Sequence, residues 1–268
     1  MDALGEDLVL LSIHPDKGTV ATKSRLGYGL RGSELVRLAA SGRAGITGDR
    51  IVVLDARPTG DEQLDTALAS LAGTRRPPRP KTWVGHPGAR IVDTYLARLA
   101  AAGTIRADRR SVLGFIPALR WRVADTARLA DARARLDAIA RATGPVDTAQ
   151  AAFAGLASAS GLGPVLYPGL ANRPLRKRLE RIAKGELTQG VGAAPTAQAT
   201  RAADAAARAA DRAATDAATS AATDAATQAA IQAATHAAVS AAVHAAHQAA
   251  SDAGAHGGHG GGGGGGHH

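Results

Sequence analysis

Residues 57–72, RPTGDEQLDTALASLA, contain the complete signal for a helix and its start. A Pro-Thr-Gly turn leads into Asp61, a residue type whose carboxylate caps helix N-termini. Leu64, Leu68 and Leu71 follow at spacings of four and three, which places them on one helical face. The stretch predicts an amphipathic helix that begins near Asp61 and packs one apolar stripe against a core.

Similar patterns extend in both directions from this helix through residues 1–190. They predict further helices at 4–13, 30–41, 90–102, 125–142, 147–160 and 174–184, and hairpins at 45–55 and 105–123. Residues 18–27 are predicted to be extended, and three prolines exclude a helix at 75–81. We therefore expect a mainly α fold, a single compact multi-helix domain with small β-hairpins.

Residues 191–268 have a different composition, dominated by alanine, histidine and glycine, and contain no Phe, Trp, Tyr or Leu. From Ala213 to Asp252 they repeat a tetrapeptide of the form AAxx, which favours partial helix but keeps no stripe on one face. We expect a low-complexity tail that cannot build a core. The predicted domains are therefore 1–190 and 191–268, and deletion of the tail should leave the melting temperature nearly unchanged.

Several classes of protein are excluded by composition. The chain has no cysteine, which rules out disulfides and thiolate sites. It has no apolar run of the ~20 residues that a membrane span needs. Its first residues include Asp2, Glu6 and Asp7, unlike a signal peptide, so a cytoplasmic location is expected.

Catalytic chemistry has no support in the motifs. The chain contains no G-x-S-x-G, H-E-x-x-H, P-loop or G-x-G-x-x-G pattern, so we expect neither an enzyme nor a cofactor. His244 and His247 are spaced to share a metal ion on a helix, but no carboxylate or thiol is arranged to complete the site. We therefore expect no metal.

The charge is concentrated in one part of the chain. The tail has three arginines and five aspartates, so residues 1–190 carry +11 in a chain of net charge +9. Residues 75–122 alone contain eleven basic and two acidic residues. Such a surplus is typical of proteins that bind nucleic acid, anionic lipid or a phosphorylated ligand.

The 105–123 hairpin lies within this basic region. Its middle contains the apolar residues Leu113, Phe115 and Ile116, and arginines both precede this segment and follow it on either side of Trp121. This arrangement suits a membrane interface, where apolar side chains enter the acyl boundary and cations meet lipid phosphates. An ordinary core hairpin with a solvated face, or a nucleic-acid-binding wing, would give the same pattern.

Several short motifs, in this order, resemble the Golgi phosphoprotein 3 family. They are LVLL at 8–11, GLRGS at 29–33, and RPTGD at 57–61 with the L-D and A-L pairs that follow it. Trp83, the helix that ends at Gly103 and the hairpin after it also have counterparts. The resemblance covers about residues 3–187 and implies one mainly helical domain of a peripheral membrane protein.

The resemblance also implies a headgroup pocket. Family members that bind phosphatidylinositol 4-phosphate use the arginine of the G-L-R-G motif, which is Arg31 here. The family's pocket tryptophan corresponds to Thr22, and its two helix arginines correspond to Ala89 and Val92, with Arg90 between them. We therefore predict a lipid headgroup site at Arg31 and Arg90, with Lys23 and Arg25 on the preceding segment.

The function predicted from the sequence is peripheral binding to anionic phospholipid headgroups, of phosphatidylinositol phosphate type by resemblance. Leu113, Phe115 and Ile116 are the predicted membrane-inserting residues, and the 105–123 hairpin is also a candidate for homo-oligomer contacts. A nucleic-acid-binding protein and a small-molecule enzyme are the alternatives. For Arg31, the alternative is an ion pair with Glu34 that only stabilises its helix.

Overall fold

The computed structural model describes residues 3–112, 116–184, 186–187 and 201–220, with the backbone alone at 109–112 and 116–118. The helices are α1 Leu4–Ser12, α2 Lys23–Ala40, α3 Glu62–Ala72, α4 Pro80–Val84, α5 Ile91–Ala101, α6 Thr126–Arg141, α7 Thr148–Ala159, α8 Leu162–Leu166, α9 Arg173–Ala183 and α10 at 201–220. The antiparallel hairpins pair β1 Ala44–Thr47 with β2 Arg50–Val53, and β3 Ile105–Val112 with β4 Ile116–Val123. The prediction of a mainly α fold with small hairpins is confirmed.

The core is organised around α1. Eight of its nine residues are buried, so this helix lies inside the body and does not present one stripe to it. It packs against α2, α5, α6, α7 and α8. Leu8 and Leu10 are fully buried there, as is Leu30 of α2. The helix α7 is also largely enclosed, with nine of its twelve residues buried.

The helix predicted from residues 57–72 forms as expected. The Asp61 carboxylate accepts hydrogen bonds from the backbone N–H groups of Gln63, at 3.0 Å, and Leu64, at 3.3 Å. Leu64, Leu68 and Leu71 are all buried. The N-cap and the apolar stripe therefore fix the start and the orientation of α3.

The start of α2 was predicted wrongly. The extended segment expected at 18–27 ends earlier, because the helix begins at Lys23 and includes Gly27 and Gly29. A Cβ at Gly29 would lie 1.8 Å from the Ser160 hydroxyl, so this glycine permits close helix packing and makes no turn. Thr22, with a left-handed φ of 50°, donates its hydroxyl proton to the Ser160 carbonyl at 2.8 Å.

A second difference lies in the proline-rich segment. Residues 75–79 are not helical, as predicted, but α4 begins at Pro80 within the range from which a helix was excluded. Proline is favoured in the first turn of a helix, where its missing N–H would have no partner in any case. The short helix α8 was not predicted.

The β3–β4 hairpin is attached to the body at its base. Ile105 is buried, and the Trp121 N–H donates to the Gly18 carbonyl at 2.7 Å. Further out along the strands, Arg106, Leu119 and Arg122 are exposed. The hairpin therefore extends from the body with exposed positions on both strands, while Arg120 and Trp121 are half-buried.

The C-terminal segment differs from the expected tail. The first compact unit spans Met1–Asp216, so it extends beyond the predicted boundary at residue 190 and includes the first sixteen residues of α10. The second unit begins at Ala217 and is described only to residue 220.

The alanines on one side of α10 are buried against the body. They are Ala202, Ala203, Ala206, Ala207, Ala209, Ala210, Ala213 and Ala214. A Cβ at Gly155 of α7 would lie 2.9 Å from the Ala207 Cβ, which shows how closely α10 approaches that helix. Small side chains on both sides permit this contact, and it does not need the large apolar residues that the tail lacks.

Candidate anion-binding surface

Arg31 lies in the middle of α2, and both terminal nitrogens of its guanidinium donate hydrogen bonds. Its Nη1 donates to Glu34 Oε2 at 2.8 Å and its Nη2 donates to the Pro87 carbonyl at 2.9 Å. The guanidinium carbon lies 4.7 Å from the centre of the Trp83 ring, which is a cation–π geometry. The side chain is 15% exposed. These contacts tie α2 to α4 and to the loop before α5.

The carboxylate that pairs with Arg31 is buried. The side chain of Glu34 is 0% exposed, and its Oε1 also accepts a hydrogen bond from Gln63 Nε2 at 2.7 Å. Burial raises the pKa of Glu34 to about 7, although Arg31 and Gln63 both act to lower it. The alternative considered for Arg31, an ion pair three residues along its helix, is therefore the arrangement that the structure contains.

The other three predicted headgroup residues do not converge on Arg31. Lys23 forms an ion pair of 2.7 Å with Asp93 of α5, and both side chains are more than half exposed. Arg90 is the exposed N-cap residue of α5. Lys23, Arg31 and Arg90 thus follow the contact between α2 and the start of α5.

Arg25 lies against a different neighbour. Its Cδ is 3.2 Å from the position that a Cβ would occupy on Gly161. It lines a cavity of about 280 Å³ together with Arg176 and Lys184 of the α9 region, and none of the other predicted headgroup residues lines that cavity. Three of the four cations therefore lie along the contact between α2 and the start of α5, and Arg25 lies apart from them. The four cations do not enclose one pocket.

The P-T-G-D stretch at 58–61 has a structural role. Asp61 accepts hydrogen bonds of 2.7 Å from Arg37 and from Arg98, which hold its pKa well below the usual range despite its partial burial. Thr59 donates both its backbone N–H and its hydroxyl to Asp65. The motif joins α3 to α2 and α5, and it offers no free group to a ligand at these contacts.

The hairpin presents its cations in register. Arg106 lies opposite Arg122, and Asp108 lies opposite Arg120, so these four residues share one face of the two-stranded sheet. Arg122 is 3.5 Å from Asp108, and its side chain remains mostly exposed. Three arginines and one aspartate thus form a basic face on an element that extends from the body.

The apolar residues predicted to insert into a membrane cannot be placed in the same way. Leu113 and Phe115 lie outside the described residues, and Ile116 is described only as the first residue of the β4 backbone. The histidines His244 and His247 also lie outside the described residues. Among the helices that are described, none combines the length and apolar character needed to cross a membrane.

Sequence reasoning missed two features of this surface, the stacking of Trp83 on Arg31 and the burial of Glu34. The stacking of Trp83 on Arg31 joins residues far apart in the sequence, and no spacing pattern indicates it. The pairing of Arg31 with Glu34 has a local signal, because residues three apart on a helix are neighbours. The burial that makes this pair strong depends on the packing of α3 and α4, which the local pattern does not contain.

The fold and the surface define a class of small, mainly helical proteins, with a body built around a buried first helix and a β-hairpin that carries a basic face. The family model of Golgi phosphoprotein 3 (GPP34) matches residues 4–234. The chain therefore belongs to this family, as its motifs predicted, and the match extends into the alanine-rich segment. No curated protein matches the chain.

Proposed function

We propose that this protein is a peripheral membrane protein that binds anionic phospholipid headgroups, with the β3–β4 hairpin as its main contact. The single observation that carries the proposal is the basic face formed by Arg106, Arg120 and Arg122 on an element that extends from the body. The role is binding and not catalysis, and it places the protein at the cytoplasmic surface of a membrane. Membership of the Golgi phosphoprotein 3 family supports headgroups of the phosphatidylinositol phosphate type.

Electrostatics on this face favour an anionic surface. Each cation close to such a surface contributes about 1 kcal/mol, so two or three arginines give reversible binding. Asp108 offsets part of the charge of Arg122, but exposed pairs of this kind contribute little and exchange partners readily. Arg106 and Arg120 form no ion pair with any described residue, which leaves both available to lipid phosphates.

Lys23 and Arg90 extend the proposed contact beyond the hairpin. The exposed pair between Lys23 and Asp93 can open at low cost when a headgroup competes for the ammonium. Arg31 differs, because a phosphate would have to displace Glu34 and the Pro87 carbonyl from its guanidinium. The proposal therefore assigns Arg31 to the stability of the body and assigns headgroup binding to the exposed cations.

The test is co-flotation of the full chain with phosphatidylcholine vesicles that contain 20 mol% anionic lipid, roughly the content at which surface charge attracts basic proteins. The Arg106→Ser/Arg120→Ser variant should bind about 30-fold more weakly, the equivalent of two contacts of ~1 kcal/mol. The control is Arg141→Ser/Arg173→Ser, which makes the same charge change at exposed residues without a described side-chain hydrogen bond or ion pair. Equal losses for the two variants would reject the hairpin as the contact.

The same variants distinguish lipid from nucleic acid. The full chain is titrated with duplex DNA at the same salt concentrations. DNA binding that is tighter than vesicle binding and depends more steeply on salt would favour a nucleic-acid-binding protein over the lipid proposal. Vesicle binding that requires anionic lipid and exceeds DNA binding at the same salt concentration supports it.

Self-association through the hairpin is a second part of this proposal. A two-stranded sheet has two edges, and edge strands are common sites of pairing between chains. The Trp121 N–H, which bonds to Gly18, uses one edge position. Analytical ultracentrifugation should show a dimer that a proline at Leu119 in β4 weakens, and a monomer at all concentrations would reject this part.

A further inference from the structure

A second basic surface, separate from the hairpin, lies on α10. Arg201, Arg208 and Arg212 follow each other at spacings of seven and four, so they lie on one face of the helix. The adjoining face carries the alanines that are buried against the body. Docking of the alanine face therefore fixes which way the arginine face points.

The arginine face borders a groove on the body. The groove has a volume of about 680 Å³ and lies between α10, the turn that joins β1 to β2, and the first residues of α4. Its charged lining residues are Arg79, Lys81, Arg201, Arg208, Arg212, Asp49 and Asp204. Two distant parts of the sequence thus contribute five cations to one groove.

The carboxylates present do not neutralise these cations. Arg79 pairs with Asp49 at 2.7 Å, and Arg208 pairs with Asp204 at 3.3 Å. Lys81 pairs at 3.1 Å with Asp216, which lies beside the groove. Each of these pairs has at least one side chain that is about half exposed, so it is weak and can exchange with a competing anion.

Two of the arginines remain without such a partner. Arg201 and Arg212 are exposed and form no side-chain hydrogen bond or ion pair with any residue that the structure describes. Holding five cations around one groove with three carboxylates leaves an excess of two positive charges. An anion with several charges would remove this repulsion and would satisfy guanidinium donors in pairs.

We propose that this groove binds a ligand with clustered phosphate groups, and that the ligand bridges α10 to the body. A volume of about 680 Å³ exceeds what one phosphate needs and fits a group of two or three phosphates with a small carrier. The ligand is either a free polyphosphate compound or a multiply phosphorylated lipid headgroup. The site is independent of the hairpin, so it goes beyond the membrane contact proposed above.

The bridging role makes a prediction about α10. If the ligand binds only when α10 is docked, it must stabilise the docked state by mass action. Trypsin cleavage after Arg208 reports on undocking, because a protease needs a locally opened helix. With inorganic triphosphate at ten times its dissociation constant, cleavage of the full chain after Arg208 should slow about tenfold.

The experiment has a matched control for each alternative. Sodium chloride at the same ionic strength should protect far less than triphosphate, and the Arg201→Ser/Arg212→Ser variant should lose most of the protection. The Arg141→Ser/Arg173→Ser variant should keep it. The Arg79→Ser variant tests the body side of the groove without altering α10, and it too should weaken protection.

The remaining arm identifies the source of the phosphates. The cleavage assay after Arg208 is repeated with vesicles that contain phosphatidylinositol bisphosphate. Protection by these vesicles but not by triphosphate would identify a lipid headgroup, whereas protection by triphosphate identifies a free polyphosphate. Each of these outcomes supports the site. The same protection in wild type and in Arg201→Ser/Arg212→Ser, or no protection by either probe, would overturn it.

Discussion

Replacement of Arg31 by alanine distinguishes a stabilising arginine from a headgroup-binding one. The substitution removes the cation that, among the described residues, contacts the buried carboxylate of Glu34, and it leaves the Pro87 carbonyl without its guanidinium donor. It also removes the cation stacked on Trp83. Because these contacts hold the body together, the loss should fall on the free energy of unfolding and not on vesicle affinity.

The magnitude follows from these three contacts. Removing one partner of a buried ion pair costs about 3–5 kcal/mol. Within that range, the hydrogen bond to Pro87 accounts for ~1 kcal/mol and the stacking on Trp83 for about 0.5–1 kcal/mol. Because the pKa of Glu34 is already about 7, this group can take up a proton when Arg31 is absent, which favours the lower end. We expect a loss of ~3 kcal/mol.

Urea unfolding at pH 7.5 measures this loss directly, and vesicle co-flotation of the same variant measures affinity. Arg31→Ala should unfold at a clearly lower urea concentration while binding vesicles as the wild type does. Arg141→Ala, an exposed control, should change the free energy of unfolding by less than about 0.5 kcal/mol. Arg31→Lys should recover part of the loss, because it keeps the charge but not the planar stack. A loss below ~1 kcal/mol together with a tenfold weaker vesicle affinity would refute the assignment.

Three further predictions follow from the burial and packing of other residues. The pKa of Glu34 is raised from 4.5 to about 7, so the folded state holds an extra proton between these pH values. The stability of the wild type relative to Glu34→Gln should therefore be greatest below pH 4.5, fall by ~3 kcal/mol as the pH rises to 7, and level off above that. A stability difference that does not change with pH would contradict this prediction. Gly155→Ala should destabilise the protein by about 1–3 kcal/mol, and Ala207→Gly as a second substitution should restore stability. The control is Gly144→Ala, whose Cβ meets no neighbouring atom. An equal loss of stability at the two glycines would reject the close contact. Deletion of 191–268 should lower the melting temperature by at least about 4 °C, since it removes the buried alanines of α10, and an unchanged value would restore the boundary at residue 190.

The elements that could be predicted from the sequence are those with local signals. Asp61 and the leucines after it specify the start and the buried face of α3 within one stretch of sixteen residues. The 105–123 hairpin and α5 were likewise predicted close to their observed bounds, because alternation, helical spacing and the terminal Gly103 all act over short distances.

The features that sequence reasoning missed depend on partners far along the chain. The helix predicted at 30–41 excluded Gly29, because its packing partner, Ser160, is contributed by another region of the sequence. The tail was predicted to be unable to build a core because it lacks Phe, Trp, Tyr and Leu, whereas the small alanines of α10 are buried by a close approach to Gly155 of α7. Arg31 was predicted as a ligand-binding residue from a motif, whereas the burial of Glu34 determines what Arg31 contacts.

The most direct test of the account is the affinity of the full chain for vesicles of increasing anionic lipid content at fixed salt concentration. We predict negligible binding to pure phosphatidylcholine, binding that rises steeply with the anionic fraction, and loss of that binding when the salt concentration is raised, since the exposed hairpin arginines act through surface charge. Binding that is equal on neutral and anionic vesicles, or absent at every composition, would contradict the proposal that this protein is a peripheral membrane protein that contacts anionic headgroups through its basic hairpin.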